Sequence, residues 1–273
     1  MMSLASCRRA WAGLALGLPL LAGAVVGHAE APALVRDGGG TVTAVVDGDT
    51  LRLDDGSAVR LVGIEAPKPP PGRGEGRAWP LAAAAKAALG ELALGRAVML
   101  AYGGPREDRY GRRLAQVYLG QIPGRAGVWL QGELLRRGLA RVHTVEDNRA
   151  LAAEMLAEER AARTARRGLW ADRAYRVRRP EEAGADADSF QLVAGTVVTA
   201  AVVRGQGYLN FGPDRRTDFT VVVPARARRL LSAAGIDVTA LAGRHVLVRG
   251  WIMLRNGPMI ELTHPEAIEL MEE

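Results

Sequence analysis

Between Thr41 and Ile64 the chain alternates short β-branched, apolar runs with acidic, glycine-containing breaks: Thr41–Val46, then Asp47-Gly48-Asp49, then Thr50–Leu53, then Asp54-Asp55-Gly56-Ser57, then Ala58–Ile64. Runs of this kind read as strands, and the breaks between them as tight turns. The second break reverses the chain about Gly56, so residues 50–64 are expected to form a hairpin. Such folding brings Glu65 back beside Asp49 at the open end. Two carboxylates converging there among free backbone carbonyls suit a hard, oxygen-seeking dication such as calcium. Asp-Gly-Asp is also what a turn needs on conformational grounds alone, so an ion site and a plain turn both stay open at this point.

Further on, Asp108-Arg109-Tyr110-Gly111-Arg112-Arg113 opens another strand-like run with a cluster of guanidiniums, and Arg60 lies on the hairpin. A planar, permanently charged fork can bind two phosphate oxygens at once and stabilise charge building on phosphorus. Arginines beside a carboxylate-held metal point to phosphodiester chemistry. Arginine number carries no weight, because 34 of the 36 basic residues are Arg, the exceptions being Lys68 and Lys86. Position is what counts.

Five blocks in order resemble the thermonuclease, or micrococcal nuclease-like, family over about residues 41–172. They are residues 45–50 (Val-Val-Asp-Gly-Asp-Thr), 60–67 (Arg-Leu-Val-Gly-Ile-Glu-Ala-Pro), 108–112 (Asp-Arg-Tyr-Gly-Arg), 133–142, and a closing Gly168-Leu169-Trp170. The resemblance implies a five-stranded OB-type barrel with three helices, an α+β fold. It also implies that Asp49 and Glu65 are calcium ligands, with Glu65 where an aspartate is usual. The backbone carbonyl of Ala66 would be a third ligand, and Asp47 would stand behind them. Arg60 and Arg112 match the two arginines that hold the scissile phosphate. The family's water-activating glutamate is replaced by Lys68.

That replacement bears directly on catalysis. A protonated ammonium accepts no proton and would be repelled by a dication and two guanidiniums, which would also lower its pKa. Losing a general base costs about 10² to 10⁴ in rate. A further option is that Glu75, on the Pro69–Gly74 loop, folds back toward the site, although nothing in the spacing demands it. A second departure lies at Val142-His143-Thr144-Val145-Glu146, where the family commonly carries base-stacking tyrosines and Thr144 and Glu146 offer no stacking face. His143 is open to two readings, a substrate contact or a polar surface residue, and as an isolated histidine it is expected to be the second.

At the N-terminus, Cys7-Arg8-Arg9, the charge-free run Trp11–Val26 and Gly27-His28-Ala29 follow the order of a secretion signal over residues 1–29. Sixteen helical residues span roughly 24 Å, short of the ~30 Å hydrocarbon core, so no stable membrane span is expected. An uncleaved anchor is the alternative. Cleavage near Ala29 would leave a periplasmic or secreted chain without cysteine, and would lower the formal net charge from +6 to +4. That modest excess permits nucleic-acid binding without demanding it. Its distribution is uneven, with eight arginines against one acid, Asp172, from Arg160 to Arg179. This run could extend a phosphate-binding surface or simply be a solvated helix end.

The expected organisation is therefore a flexible segment at 30–40, a thermonuclease-like domain at 41–179, a linker at 180–188 and a second domain at 189–273. The last contains five β-rich runs, 191–203, 207–211, 218–223, 244–253 and 259–263, with a helix at 225–234 before the fourth, a pattern that resembles a small OB-like barrel. Phe190, Phe211, Phe219, Tyr208 and Trp251 all lie there. Most are expected in its core. Two functions follow: an exported, calcium-dependent nuclease acting on DNA or RNA and slowed by Lys68, or a nucleic-acid-binding or envelope scaffold protein that keeps the nuclease fold without turnover.

Overall fold

The computed structural model describes residues 34–68, 79–120 and 127–271. The expected signal segment and Glu75 with its loop lie outside them. Strands β1 (Val35–Asp47), β2 (Thr50–Leu53), β3 (Ala58–Leu61) and β4 (Gly63–Glu65) come first. They are followed by α1 (Ala82–Ala93), β5 (Ala97–Tyr102), β6 (Arg113–Leu119), β7 (Val128–Trp129), α2 (Leu130–Arg136), β8 (Arg141–His143) and α3 (Ala152–Thr164). Antiparallel pairing runs β3 to β2 to β1 to β5 to β6, and β6 then returns to β3 in parallel, Arg60 opposite Leu114. The ring closes. This is the five-stranded OB-type barrel with three helices that the sequence resemblance implies.

Period-two alternation explains how the site and the core share strands. In β3 Val59 and Leu61 are fully buried, which sends Arg60 to the opposite face. Leu130, Leu134 and Leu135 of α2 plug the barrel and Met155 of α3 packs with them, each wholly buried. Side chains of this size contribute about 1.5–3 kcal/mol apiece when fully buried.

The segment expected to be flexible at 30–40 is strand from Val35 onward, with Val35 opposite Tyr102 and Arg36 opposite Ala101. Gly38-Gly39-Gly40 reads as flexible by composition. Here it allows an irregular close approach, since a Cβ on Gly39 would lie 2.2 Å from the Val98 carbonyl oxygen.

The second part comprises β9 (Phe190–Thr196), β10 (Thr199–Val203), β11 (Gln206–Asn210), β12 (Thr220–Val223) and α4 (Ala225–Ala233). It continues through β13 (His245–Trp251), β14 (Met253–Leu254), β15 (Pro258–Glu261) and β16 (Ile268–Leu270). The run expected as one strand at 191–203 bends at Val197-Val198, so β9 and β10 belong to different sheets; β13 and β14 part in the same way at Ile252. Pairings run β10–β11–β12, then β12 with β15 in parallel, β15 with β14, and β13 back to β9. Val193, Val221, Val248 and Ile260 fill the space inside.

Residues 180–188, expected as a linker, fold instead as 3-10 turns over Pro180–Asp186 with Ala183 buried. Arg178 grips Asp186 at 2.5 Å across them. Around this segment the two halves meet along a polar seam. Buried Arg249 bonds Glu159 of α3 at 2.8 Å and also contacts Glu269. Arg141 donates to the Phe190 carbonyl at 2.8 Å, Thr144 Oγ1 lies 2.7 Å from His264 Nε2, and Arg149 meets Glu266 at 2.7 Å. Charges leave water at this cost only when paired, so the seam holds the halves in one register.

Candidate functional site

The site begins with the two-residue turn between β1 and β2. Asp47 Oδ1 accepts the Asp49 backbone N–H at 3.1 Å, a local bond that sets the turn. Gly48 is required for space: an added Cβ would sit 2.7 Å from the Ala66 Cβ and 2.8 Å from the Ala85 Cβ. Pressed between α1 and residues 65–66, the turn delivers Asp49 to a position with no solvent exposure. Its Oδ2 accepts the Ala66 N–H at 2.7 Å.

Arg60, from the outer face of β3, joins the two carboxylates that the hairpin argument brought together. One guanidinium nitrogen contacts Asp49 Oδ1 and the other lies 2.6 Å from Glu65 Oε2 and donates to the Ile64 carbonyl at 2.9 Å. The Lys68 ammonium lies on the same Asp49 oxygen and 3.0 Å from Asp47 Oδ2. Three carboxylates therefore face two fixed cations. Burial pushes the Glu65 carboxyl up, but the contact with His143 and the charges of Arg60 and Lys68 outweigh it and hold the group at about 2. Burial and the Arg60 charge lower the Lys68 pKa, against the pull of Glu65 and Asp47.

The calcium set that the resemblance implies, Asp49, Glu65 and the Ala66 carbonyl with Asp47 behind, is thus wired internally. Lys68 supplies a positive charge on the oxygens an ion would use, and Ala66 joins the cluster through its N–H, which donates to Asp49. Among the described residues no group of three or more His, Cys, Asp or Glu side chains is placed to hold a metal ion. As arranged, the donor set does not fit calcium. A dication here would have to displace the ammonium and sit beside Arg60.

Arg112 is not part of this cluster. It is tied to Asp108 at 2.7 Å in the loop entering β6, the strand that lies parallel to β3, and its side chain is 35% exposed. Arg109 and Arg112 both lie over the Tyr110 ring, which is itself exposed. Like the one-third-exposed Lys68, they keep side-chain surface that an incoming anion can reach.

His143 is where sequence reasoning fell short. Expected on the surface, it is half-buried on β8, with Nδ1 3.8 Å from Glu65 Oε2 and its ring 4.7 Å from Phe190. At 3.8 Å the contact with Glu65 is electrostatic rather than a hydrogen bond. The available signal was its place opposite Gly63 in the β4–β8 pair, two residues from Glu65, which only the three-dimensional pairing reveals. The basic run at 160–179 proves largely spent: Arg160, Arg163, Arg176, Arg178 and Arg179 each meet a carboxylate.

Among curated proteins nothing matches the chain. Residues 58–172, which span β3 to the turn after α3 and carry Arg60, Glu65, Lys68, Arg112 and His143, match the family described as Staphylococcal nuclease homologue, and this domain of the chain belongs to the thermonuclease-like family.

Proposed function

We propose that the protein binds nucleic acid through its phosphodiester backbone at the mouth of the first barrel, and that any hydrolysis there is slow because Lys68 occupies the carboxylates. The observation that carries this is the ammonium itself, bonded to Asp47 at 3.0 Å and in contact with buried Asp49. An ammonium bonded to two carboxylates has no lone pair with which to accept a proton from water. Arg60 is committed to Asp49 and Glu65, which leaves Lys68 and Arg112 to meet phosphate. Members of the family are generally calcium-dependent. In this chain calcium enters only when Lys68 is removed.

Support for a nucleic-acid ligand comes from the family and from exposed arginines stacked on Tyr110, a pairing that suits phosphate and base alike. Export to the periplasm or beyond is part of the proposal and rests on the order of charge and apolarity in residues 1–29. Among the described residues no helix is long and apolar enough to cross a membrane.

The test is cleavage of single- and double-stranded DNA and RNA, with calcium or with chelator, by the wild type, Lys68→Glu and Asp49→Ala. Expected are slow or absent cutting by the wild type regardless of calcium, and a calcium-dependent gain in Lys68→Glu. Rapid, calcium-dependent cutting by the wild type would overturn the reading.

A further inference from the structure

A cavity of about 380 Å³ opens where the two barrels meet, lined by His143, Thr144, Phe190, Arg249, Trp251 and His264 among others. Its size falls within the roughly 300–1,000 Å³ of small-ligand sites. One wall is a row of rings that starts at the charged cluster. His143, beside Glu65, packs on Phe190 at 4.7 Å, and Phe190 meets the edge of Trp251 at 6.4 Å. Phe190 is buried, whereas Trp251 is 50% exposed, although a tryptophan with nothing to cover normally gains by burial.

The polar lining is equally specific. Thr144 and Thr263 hydroxyls hold both nitrogens of His264, at 2.7 and 2.8 Å. Buried Arg249 spends its terminal nitrogens on Glu159 and Glu269, while its Nε–H has no acceptor among the described residues. The half-exposed ring of Trp251 at the end of this row suits a planar ligand with an apolar face. A nucleobase has such a face, and His143 of the lining lies 3.8 Å from Glu65, which in turn meets Arg60 at 2.6 Å.

We propose that the interbarrel cavity is a nucleobase subsite, in which an unpaired base stacks on Trp251 while neighbouring phosphates of the same strand lie against cations of the first barrel, Lys68 and Arg112. A base inside a duplex cannot enter without leaving its stack, so the ligand class is single-stranded nucleic acid. This rests on the phosphodiester reading above and deepens it. The second barrel thereby becomes half of the binding site.

The experiment compares, in chelator, binding of a short single-stranded DNA, the same chain with abasic sites in place of its bases, and the matching duplex, by fluorescence anisotropy. The wild type should bind the single strand about 5- to 150-fold more tightly than the abasic chain, as one stacked base would give, and more tightly than the duplex. Trp251→Ala should lose that preference while keeping abasic affinity, and Trp251→Phe should restore most of it; Arg112→Ala should weaken single-strand and abasic binding alike. Equal wild-type affinity for the single strand and the abasic chain, with Arg112 still required, overturns the subsite and leaves the phosphodiester reading standing. Absence of binding to all three ligands overturns both.

Discussion

The two barrels repeat one ring of strands and differ in what they place at the same turn. With β9 and β10 counted as one bent strand, and β13 and β14 as another, in each the first strand pairs with the second, the second with the third, the third in parallel with the fifth, the fifth with the fourth, and the fourth with the first. In each, a helix lies between the third strand and the fourth. A two-residue turn joins the first two strands: Asp47 opposite Thr50 in one, Val203 opposite Gln206 in the other. The first barrel fills that turn with Gly48-Asp49 and the second with Arg204-Gly205. Where the first puts Arg60 third in its third strand, the second puts buried Val222. The same backbone position thus carries an ionic cluster in one copy and a buried apolar side chain in the other, so the chemistry resides in side chains set on the fold.

The sharpest way to break the comparison is to alter the cluster itself. Lys68→Glu replaces the internal ammonium with a carboxylate beside Asp47, Asp49 and Glu65, creating the acidic set that calcium fits. Cleavage in calcium should rise by about 10² to 10⁴, the worth of a general base. Calcium should also raise the Tm of this variant and leave that of the wild type unchanged. No gain in either measurement would show that the first barrel's cluster is a structural device, as neutral in function as its counterpart.

Next in size is the seam. Arg249→Ala leaves Glu159 buried with Arg163 at 3.8 Å as its remaining cation, and should cost about 3–5 kcal/mol by denaturant unfolding. Since Glu159 also accepts the Val142 N–H at 2.6 Å, the loss should loosen β8 and with it His143. If the variant unfolds in two separate transitions, the barrels are independent bodies; a single transition at lower denaturant makes them one.

Acid should separate the two regions further. His264 is held neutral in the seam, its pKa lowered by burial to about 4. The unfolded chain takes up a proton near 6.5 that the folded chain refuses until about 4. Stability from this group is therefore complete above 6.5 and falls by about 3 kcal/mol as pH drops to 4. Glu65 acts lower: its pKa is held below the ordinary value, so its contribution is complete above about 4.5 and is lost toward 2. Unfolding followed between pH 7 and 4 should weaken with a slope that His264→Gln removes.

What the sequence made legible follows sequence distance. The hairpin about Gly56, the meeting of Asp49 with Glu65 and the anomaly of Lys68 were all readable, because turn chemistry and alternation act over a few residues. The partners of Lys68 were half readable: repulsion from a dication followed from charge alone, but its seat on Asp47 and Asp49 needed the turn's geometry. Arg249 with Glu159 and Thr144 with His264 pair residues 90 and 120 positions apart, and no local pattern announces them. Composition misled at Pro180–Asp186, where alternating alanine, glycine and acids look like a tether. The fixed φ of Pro180 and the grip of Arg178 on Asp186 make it a packed turn instead.

The smallest expected effect returns to the shared turn, where each barrel needs one glycine for a different reason. Gly48 is needed for room, with α1 and Ala66 pressing on it, whereas Gly205 has open space around it and a φ of +84°. An L side chain in that left-handed region costs about 1 kcal/mol, and nothing nearby adds to it. Gly205→Ala should therefore lower stability by that amount and leave oligonucleotide binding unchanged. Gly48→Ala should cost about 1–3 kcal/mol through overpacking and also displace Asp49 from Arg60 and Lys68. Unfolding and binding measured on both variants place the functional weight on one turn only. Equal losses of binding would mean that the second barrel's turn also touches the ligand, and the division between ionic and structural copies would fall.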